Sequence, residues 1–148
     1  MEIKNLLDPK IKNDVIGRIN RLTSATQRRW GVMEVAQMLA HLQARFAVAF
    51  GTDHLKGNFF IRLVAPLIKG MLYNDKPYKK NLATDKTFKI SDHREFAKEK
   101  EGLISMINNF YVETLRKDPH PYFGKLTPEQ WGKASWKHID HHLRQFGV

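Results

Sequence analysis

The chain has 148 residues, and its 42% hydrophobic and 27% charged content is typical of a globular protein and excludes wholesale disorder. It contains no cysteine, which excludes disulfides, thiolate zinc sites and a cysteine nucleophile. Any metal must therefore use His, Asp or Glu. The formal net charge of +10 favours binding partners that are acidic. The basic residues, however, are scattered along the chain rather than gathered in one segment.

A uniform composition without a repeat of fixed period predicts one domain over residues 1–148. The N-terminal residues lack a basic stretch followed by an apolar segment, so we expect no secretory signal. The most apolar stretch, residues 59–72, is interrupted by Arg62, Pro66 and Lys69 and is too short to span a bilayer. We therefore expect a cytoplasmic protein that does not bind a membrane. The sequence does not determine the oligomeric state, and a homodimer is one possibility.

The first half of the chain has the apolar periodicity of α-helices. Asp8-Pro9 predicts the start of a first helix, whose apolar stripe is Ile11, Val15, Ile19 and Leu22. A second helix is predicted from Met33 to Phe50, with Gly51 as its C-terminal cap. The connection that follows, residues 51–91, is unusually long. It is predicted to contain a short apolar helix near residues 59–72 and then a basic loop.

The second half predicts two more long helices. One begins at Ser91-Asp92 and reaches about Lys117, and its predicted inner face consists of Phe96, Leu103, Ile107, Phe110 and Thr114. The segment Thr127-Pro-Glu-Gln130 combines a capping residue, proline and a capping-box glutamine, which predicts a last helix to about Phe146. No segment alternates as a strand would. The expected fold is an all-α four-helix bundle with a long crossover that contains a short extra helix.

Three of the seven histidines lie close together in the last helix. His138 and His142 are four residues apart, so they lie about 40° apart on one helical face and could share one metal ion. His141 lies about 60° to the other side of His138, which leaves it outside the predicted ligand set. A helical wheel places it toward a charged face opposite the core, formed by Lys133, Lys137, Asp140 and Arg144.

His41 lies beside the apolar arc of the second helix, with Glu34, Gln37 and Arg45 as polar neighbours. A cleft between the second and last helices could therefore hold a metal ion. The competing interpretation is that the histidines are structural, because a pair at this spacing is also common on exposed helices. We interpret His54 and His93 as incidental, and we expect His120, which precedes Pro121, to order its loop.

Two segments resemble signatures of the DinB/YfiT-like superfamily. Residues 30–42 resemble a signature in which a Trp precedes a helix with the first metal histidine, and residues 136–145 resemble the last-helix motif His-x-x-His-His-x-x-Gln. Residues 120–131 are similar to one uncharacterised branch. The resemblance covers essentially the whole chain. It implies a four-helix bundle with a three-histidine metal site, and its motifs match His41, His138 and His142.

The resemblance also implies a metal-dependent enzyme acting on a small molecule. Some relatives are thiol-dependent transferases, so a transferase or hydrolase-like reaction with a low-molecular-weight thiol is expected. Zinc, nickel, iron or manganese would suit neutral imidazole ligands. No catalytic residue is assigned, and Glu34 is given an outer-shell or surface role. The alternative is a basic helical module that binds a protein or nucleic acid without catalysis, although nucleic acid is disfavoured because most aromatic residues fall on core arcs.

Overall fold

The computed structural model describes residues 1–82 and 85–148, and these residues form helices and connections without strands. The all-helical fold class is thereby confirmed. The α-helices are α1 (Pro9–Asn20), α2 (Val35–Phe50), α3 (Phe59–Ile68), α4 (Phe96–Asn108) and α5 (Pro128–Gln145). Short 3₁₀ turns cover Lys69–Leu72, Lys86–Phe88 and Val112–Thr114.

The four longer helices pack as a bundle around one apolar core. α2 packs against α4 and α5, and α1 packs against the same two helices. The core residues come from the predicted arcs of these helices, and the following aliphatic side chains among them are fully buried: Ile19, Met38, Leu39, Leu42, Leu103, Ile107, Ile139 and Leu143. The burial of these side chains is the main favourable contribution to folding, and it fixes α2 and α5 side by side.

Local sequence signals set the ends of three helices where the sequence predicts them. The Asp8 carboxylate accepts a hydrogen bond from the Lys10 N–H at 2.8 Å, and Thr127 and Gln130 form a reciprocal capping box at the start of α5. Gly51 ends α2 with a φ of 73°, a left-handed conformation that favours glycine. α2 begins at Val35 rather than Met33, because Glu34 and Gln37 form its cap.

The predicted third long helix, from Ser91-Asp92 to Lys117, is wrong at both ends. α4 begins only at Phe96, with Glu95 as the capping position, and it ends at Asn108. The chain then turns toward α2, where the Arg116 N–H donates to the Ala49 carbonyl at 2.7 Å. This bond satisfies a carbonyl at the open end of α2, which a continued helix would leave unpaired. Thr114, predicted to face inward, is exposed, whereas Phe110 is buried beyond the helix.

The long connection between α2 and α4 contains the predicted short helix. α3 and the turn Lys69–Leu72 cover the predicted segment, and that turn packs against α5. The outer side of α3 exposes Phe60, Leu63 and Leu67. Residues 83 and 84 of the connection lie outside the described residues. Within the described part of the chain, no helix combines the length and the apolar character that a membrane span requires.

The predicted charged face of α5 is wrong at two of its four positions, because Lys137 and Asp140 are buried. The Lys137 ammonium donates to the Met71 carbonyl at 2.7 Å and to the Asn74 side-chain oxygen at 2.7 Å. Asp140 forms an ion pair with Arg18 of α1 at 2.8 Å. A helical wheel cannot show that the crossover and α1 cover this side of α5, and their polar partners make the burial of both charges tolerable.

Candidate metal centre

The structure brings the three predicted histidines together between α2 and α5. The Nε2 atom of His138 lies 3.1 Å from Nε2 of His41 and 3.2 Å from Nε2 of His142. One nitrogen from each ring lies within 4.8 Å of the other two. His41 and His142 are buried and His138 is half-buried. The predicted convergence of two helices on one point is therefore present, while the binding of a metal there remains a prediction.

The outer nitrogens of two rings are hydrogen-bonded away from this point. Nδ1 of His41 lies 2.8 Å from the Phe88 carbonyl, and Nδ1 of His142 lies 2.8 Å from Oε1 of Gln145. Both partners are oxygen acceptors, so both Nδ1 atoms carry the proton. In a neutral imidazole the other nitrogen then has a free lone pair. The Nε2 lone pairs of His41 and His142 consequently point toward the same place, next to Nε2 of His138.

Gln145 is itself held in one orientation. Its side-chain N–H donates to the Trp30 carbonyl at 2.8 Å, which leaves Oε1 facing His142. Gly31, with a φ of 80°, leaves the space for this amide, and a Cβ at that position would collide with Nε2 of Gln145. The Trp30-Gly31 segment and the last residue of α5 therefore fix the tautomer of His142 together.

The surroundings keep all three imidazoles neutral. Burial lowers the pKa of His41 and of His138, and it lowers the pKa of His142 to about 3. The neighbouring rings lower the pKa values of His138 and His142 further, since two imidazolium ions this close would repel each other. Neutral rings at physiological pH are the form in which histidine binds a metal ion.

The chemistry of this donor set fits a divalent cation. Ligand nitrogens at about 2.0–2.1 Å from a tetrahedral ion lie about 3.3 Å from each other. The two shortest Nε2–Nε2 distances, 3.1 and 3.2 Å, are close to that separation. Without an ion, the two lone pairs of His41 and His142 can share only one proton on Nε2 of His138. Three nitrogen ligands also leave coordination positions for another molecule.

The three rings border a cavity of about 370 Å³. α3 and the turn after it supply an apolar wall, with Ile61, Val64, Ile68 and Leu72. Polar groups enter the same cavity, namely Arg45, Tyr78 and Asp85. A space of this size with apolar walls and a few converging polar groups is typical of a small-molecule site.

The predicted orientation of His141 is wrong, although its exclusion from the three-nitrogen cluster agrees with the structure. Its ring lies between Trp30 and Tyr78, with centroid distances of 5.9 and 5.8 Å, and it borders the cavity rather than a charged outer face. His54 and His93 are exposed and lie outside the cluster, as expected. Glu34 is exposed and caps α2.

His120 is buried and orders its own loop, as predicted. Its Nδ1 accepts hydrogen bonds from the N–H groups of Tyr122 and Phe123, at 3.0 and 3.3 Å. Its ring stacks on Trp131 with a centroid distance of 5.6 Å. Burial lowers the pKa of His120 to about 3. The Nδ1 lone pair of His120 is therefore used within its own loop and its ring packs on Trp131, so this histidine offers no lone pair to the three-histidine cluster.

Sequence reasoning missed the supporting residues of the site. Gln145 ends the last-helix motif and follows His142 by three residues, a spacing that allows contact on a helix, so this signal was available. The Phe88 carbonyl belongs to a 3₁₀ turn in the crossover, and no pattern in the sequence indicates that it reaches His41. Arg45, noted only as a neighbour of His41, borders the cavity.

A comparison with protein-family models finds a family that matches nearly the whole chain. The family model described as "Protein of unknown function (DUF1569)" matches residues 1–147. No curated protein and no solved structure matches the chain.

Proposed function

The chain belongs to the DUF1569 family, and we propose that it is a DinB/YfiT-like metalloenzyme acting on a small molecule. One divalent metal ion is held by His41, His138 and His142. The observation that carries this proposal is the convergence of three neutral Nε2 atoms at one cavity. The outer hydrogen bonds of His41 and His142 support it, because such bonds fix the ligand tautomer in metal sites.

When bound, the metal would act as a Lewis acid that lowers the pKa of a bound water or thiol or polarises a carbonyl group. The chain's own residues provide the rest of the site. The Phe88 carbonyl and Gln145 hold two rings in position. The apolar wall formed by α3 reduces the access of water, which strengthens electrostatic interactions inside the cavity.

A thiol-dependent transferase is the finer form of the proposal. The cavity supports a small-molecule substrate by its size and by its apolar wall next to the three Nε2 atoms. A low-molecular-weight thiol bound as thiolate would be a strong nucleophile at that position. The proposed compartment is the cytoplasm, where such thiols are kept reduced.

Metal content of protein purified without a polyhistidine tag tests the metal centre. We expect one zinc, nickel, iron or manganese ion per chain after loading, and the His138→Ala variant should lose it. His54→Ala is the matched control, because His54 is exposed and outside the cluster. Equal metal content in wild type and His138→Ala would refute the assignment.

Cobalt-loaded protein tests the thiol. A thiolate bound to Co²⁺ gives a charge-transfer absorption band in the near ultraviolet, so titration with 2-mercaptoethanol should produce this band in wild type. The band should be absent in His138→Ala. A loaded centre that never develops the band would exclude the thiol-dependent form of the reaction while leaving the metal centre intact.

A further inference from the structure

Arg45 is a cation in the cavity wall without a counter-ion among the described residues. It follows His41 by four residues on α2, so both side chains lie on the same face of that helix. Its guanidinium carbon lies 4.7 Å from the centroid of the Phe88 ring. A cation–π contact of this kind positions the group without neutralising its charge. Burial lowers the pKa of Arg45, yet a guanidinium stays protonated in proteins.

The acidic group that shares the cavity with Arg45 is engaged elsewhere. One oxygen of Asp85 accepts a hydrogen bond from the Thr87 N–H at 2.8 Å, and the other accepts from the Tyr122 hydroxyl at 3.1 Å. Arg45 makes no hydrogen bond or ion pair with Asp85 or with any other described residue. Asp85 therefore moderates the positive charge of the cavity at a distance but does not occupy the donors of Arg45.

Water would hydrate this cation without neutralising its charge. A second cavity, of about 30 Å³, borders Arg45 beside His120 and Ser135, and it has room for about one water molecule. Such a molecule could accept a hydrogen bond but would leave the charge in place. A guanidinium that borders the cavity, with its N–H donors unpaired among the described residues, favours an anionic group with two acceptor oxygens.

From this geometry we infer that the cavity binds a small carboxylate with an apolar chain, that Arg45 receives the carboxylate, and that the apolar wall of α3 receives the chain. Any reaction of this carboxylate rests on the proposed function, whereas its binding to Arg45 does not. A monoanion is favoured over a dianion such as phosphate, because Asp85 lies in the same cavity.

The position of Arg45 also sets the shape of the substrate. Four residues along α2 correspond to about 6 Å along the helix axis. Arg45 and His138 both border the main cavity and the small one. A carboxylate bound by Arg45 would therefore place a group a few bonds away next to the three Nε2 atoms. This arrangement makes Arg45 a specificity-determining residue.

Binding of hexanoate and of its neutral analogue hexanamide to the metal-free full chain tests the inference. Without metal, the carboxylate cannot coordinate an ion, so calorimetry reports on the cavity alone. Wild type should prefer hexanoate by at least about tenfold, because the charge-assisted bonds to Arg45 are lost with the amide. Inorganic phosphate should bind more weakly than hexanoate, and tighter phosphate binding would overturn the carboxylate class.

Three variants complete the test. Arg45→Met keeps an apolar stem against Phe88 and should reduce the hexanoate preference to less than about twofold, whereas Arg45→Lys should retain part of it. Arg21→Met removes the same charge from an exposed position and should bind like wild type. If Arg45→Met does not fold, a hexanoate-induced shift of the Arg45 Nε–H NMR signal in wild type, together with Arg45→Lys, decides the question.

The inference would also be overturned by the absence of hexanoate binding, by equal binding of hexanamide, or by a hexanoate preference that persists in folded Arg45→Met. Titration of the same samples with zinc separates this inference from the proposed function. Carboxylate preference without zinc binding would leave the role of Arg45 intact and refute the metal centre. Zinc binding without carboxylate preference would support the metal centre and refute the role of Arg45.

Discussion

His120 and His142 are both buried, and burial lowers the pKa of each to about 3, yet the surroundings of the two rings differ. Nδ1 of His120 accepts two N–H bonds from its own loop, and its Nε2 is buried without a hydrogen bond to any described residue. Nδ1 of His142 donates to Gln145, and its Nε2 faces two other imidazoles. A low pKa alone therefore does not indicate a metal site; the direction of the lone pairs distinguishes the two rings.

The largest expected effect is the difference in zinc affinity between the variants that replace His142 and His120. His142→Ala should lower zinc affinity by more than about a hundredfold, because a ligand is lost rather than an outer partner. His120→Ala should leave zinc affinity within about threefold of wild type and should lower stability by about 1–3 kcal/mol, through the loss of its loop hydrogen bonds and the Trp131 contact. Competition titration and chemical unfolding measure the two quantities. The reverse pattern would invalidate the comparison.

A smaller effect is expected from changes that leave all three ligands in place. Gly31→Ala should displace the Gln145 amide by steric collision, and Gln145→Leu should remove the acceptor of the His142 Nδ1–H. Each should lower zinc affinity by about tenfold, the lower end of the range for outer-shell changes. Gly124→Ala is the control for a substitution at a positive φ without neighbours near the added Cβ. If both site variants bind zinc as wild type does, Gln145 does not orient His142.

The sequence predicted which three histidines converge, partly from helix geometry and partly from the resemblance to the DinB/YfiT-like motifs. A four-residue spacing on a helix places two rings on one face whatever surrounds them, and His41 lay beside an apolar arc that had to pack. The surroundings were not predictable in this way. The Phe88 carbonyl and the cover over Lys137 come from the crossover, whose path depends on tertiary contacts rather than on periodicity.

The fold was predictable to a similar extent. Capping signals at Asp8, Gly51 and Thr127 fixed helix ends because they act within one turn. The end of α4 was missed because the contact that draws the chain away, from Arg116 to Ala49, joins residues far apart in the sequence. Wheel positions likewise could not reveal the Arg18–Asp140 ion pair between α1 and α5.

Lower pH should affect both kinds of buried histidine. An unfolded histidine has a pKa of about 6.5, so between that pH and about 3 the unfolded chain binds protons that folded His120 and His142 do not. The contribution of these two histidines to the free energy of unfolding is therefore fully present above about pH 6.5 and decreases as the pH falls toward 3. Thermal unfolding of metal-free protein from pH 7 to pH 4 measures the decrease.

Zinc should separate the two contributions. Protonated imidazoles cannot bind metal, but burial lowers the pKa of folded His142 to about 3, so the stabilisation that zinc adds at pH 7 should persist in wild type until the pH approaches that value. In His120→Ala that zinc-dependent stabilisation should persist at pH 7, and in His142→Ala it should be absent. Zinc-dependent stabilisation at pH 7 that His142→Ala retains in full would argue against imidazole ligands.

Among the histidines that border the cavity, His141 should have the smallest effect on metal binding. His141→Ala should change zinc affinity by less than about threefold, because the ring packs between Trp30 and Tyr78 and contributes no nitrogen to the cluster. It should change ligand binding in the cavity, which His141 borders. A loss of zinc affinity as large as that of His142→Ala would show that the assignment of the α5 ligands is incorrect.

Two-dimensional ¹H–¹⁵N NMR of the imidazole nitrogens, before and after one equivalent of zinc, tests the account most directly. Metal-free His142 should show the Nδ1–H tautomer and His120 the Nε2–H tautomer, both neutral at pH 7. On addition of zinc, the Nε2 signals of His41, His138 and His142 should shift together, and those of His120 should not move. Unchanged cluster signals at stoichiometric zinc, or a shift confined to other histidines, would contradict the three-histidine metal centre.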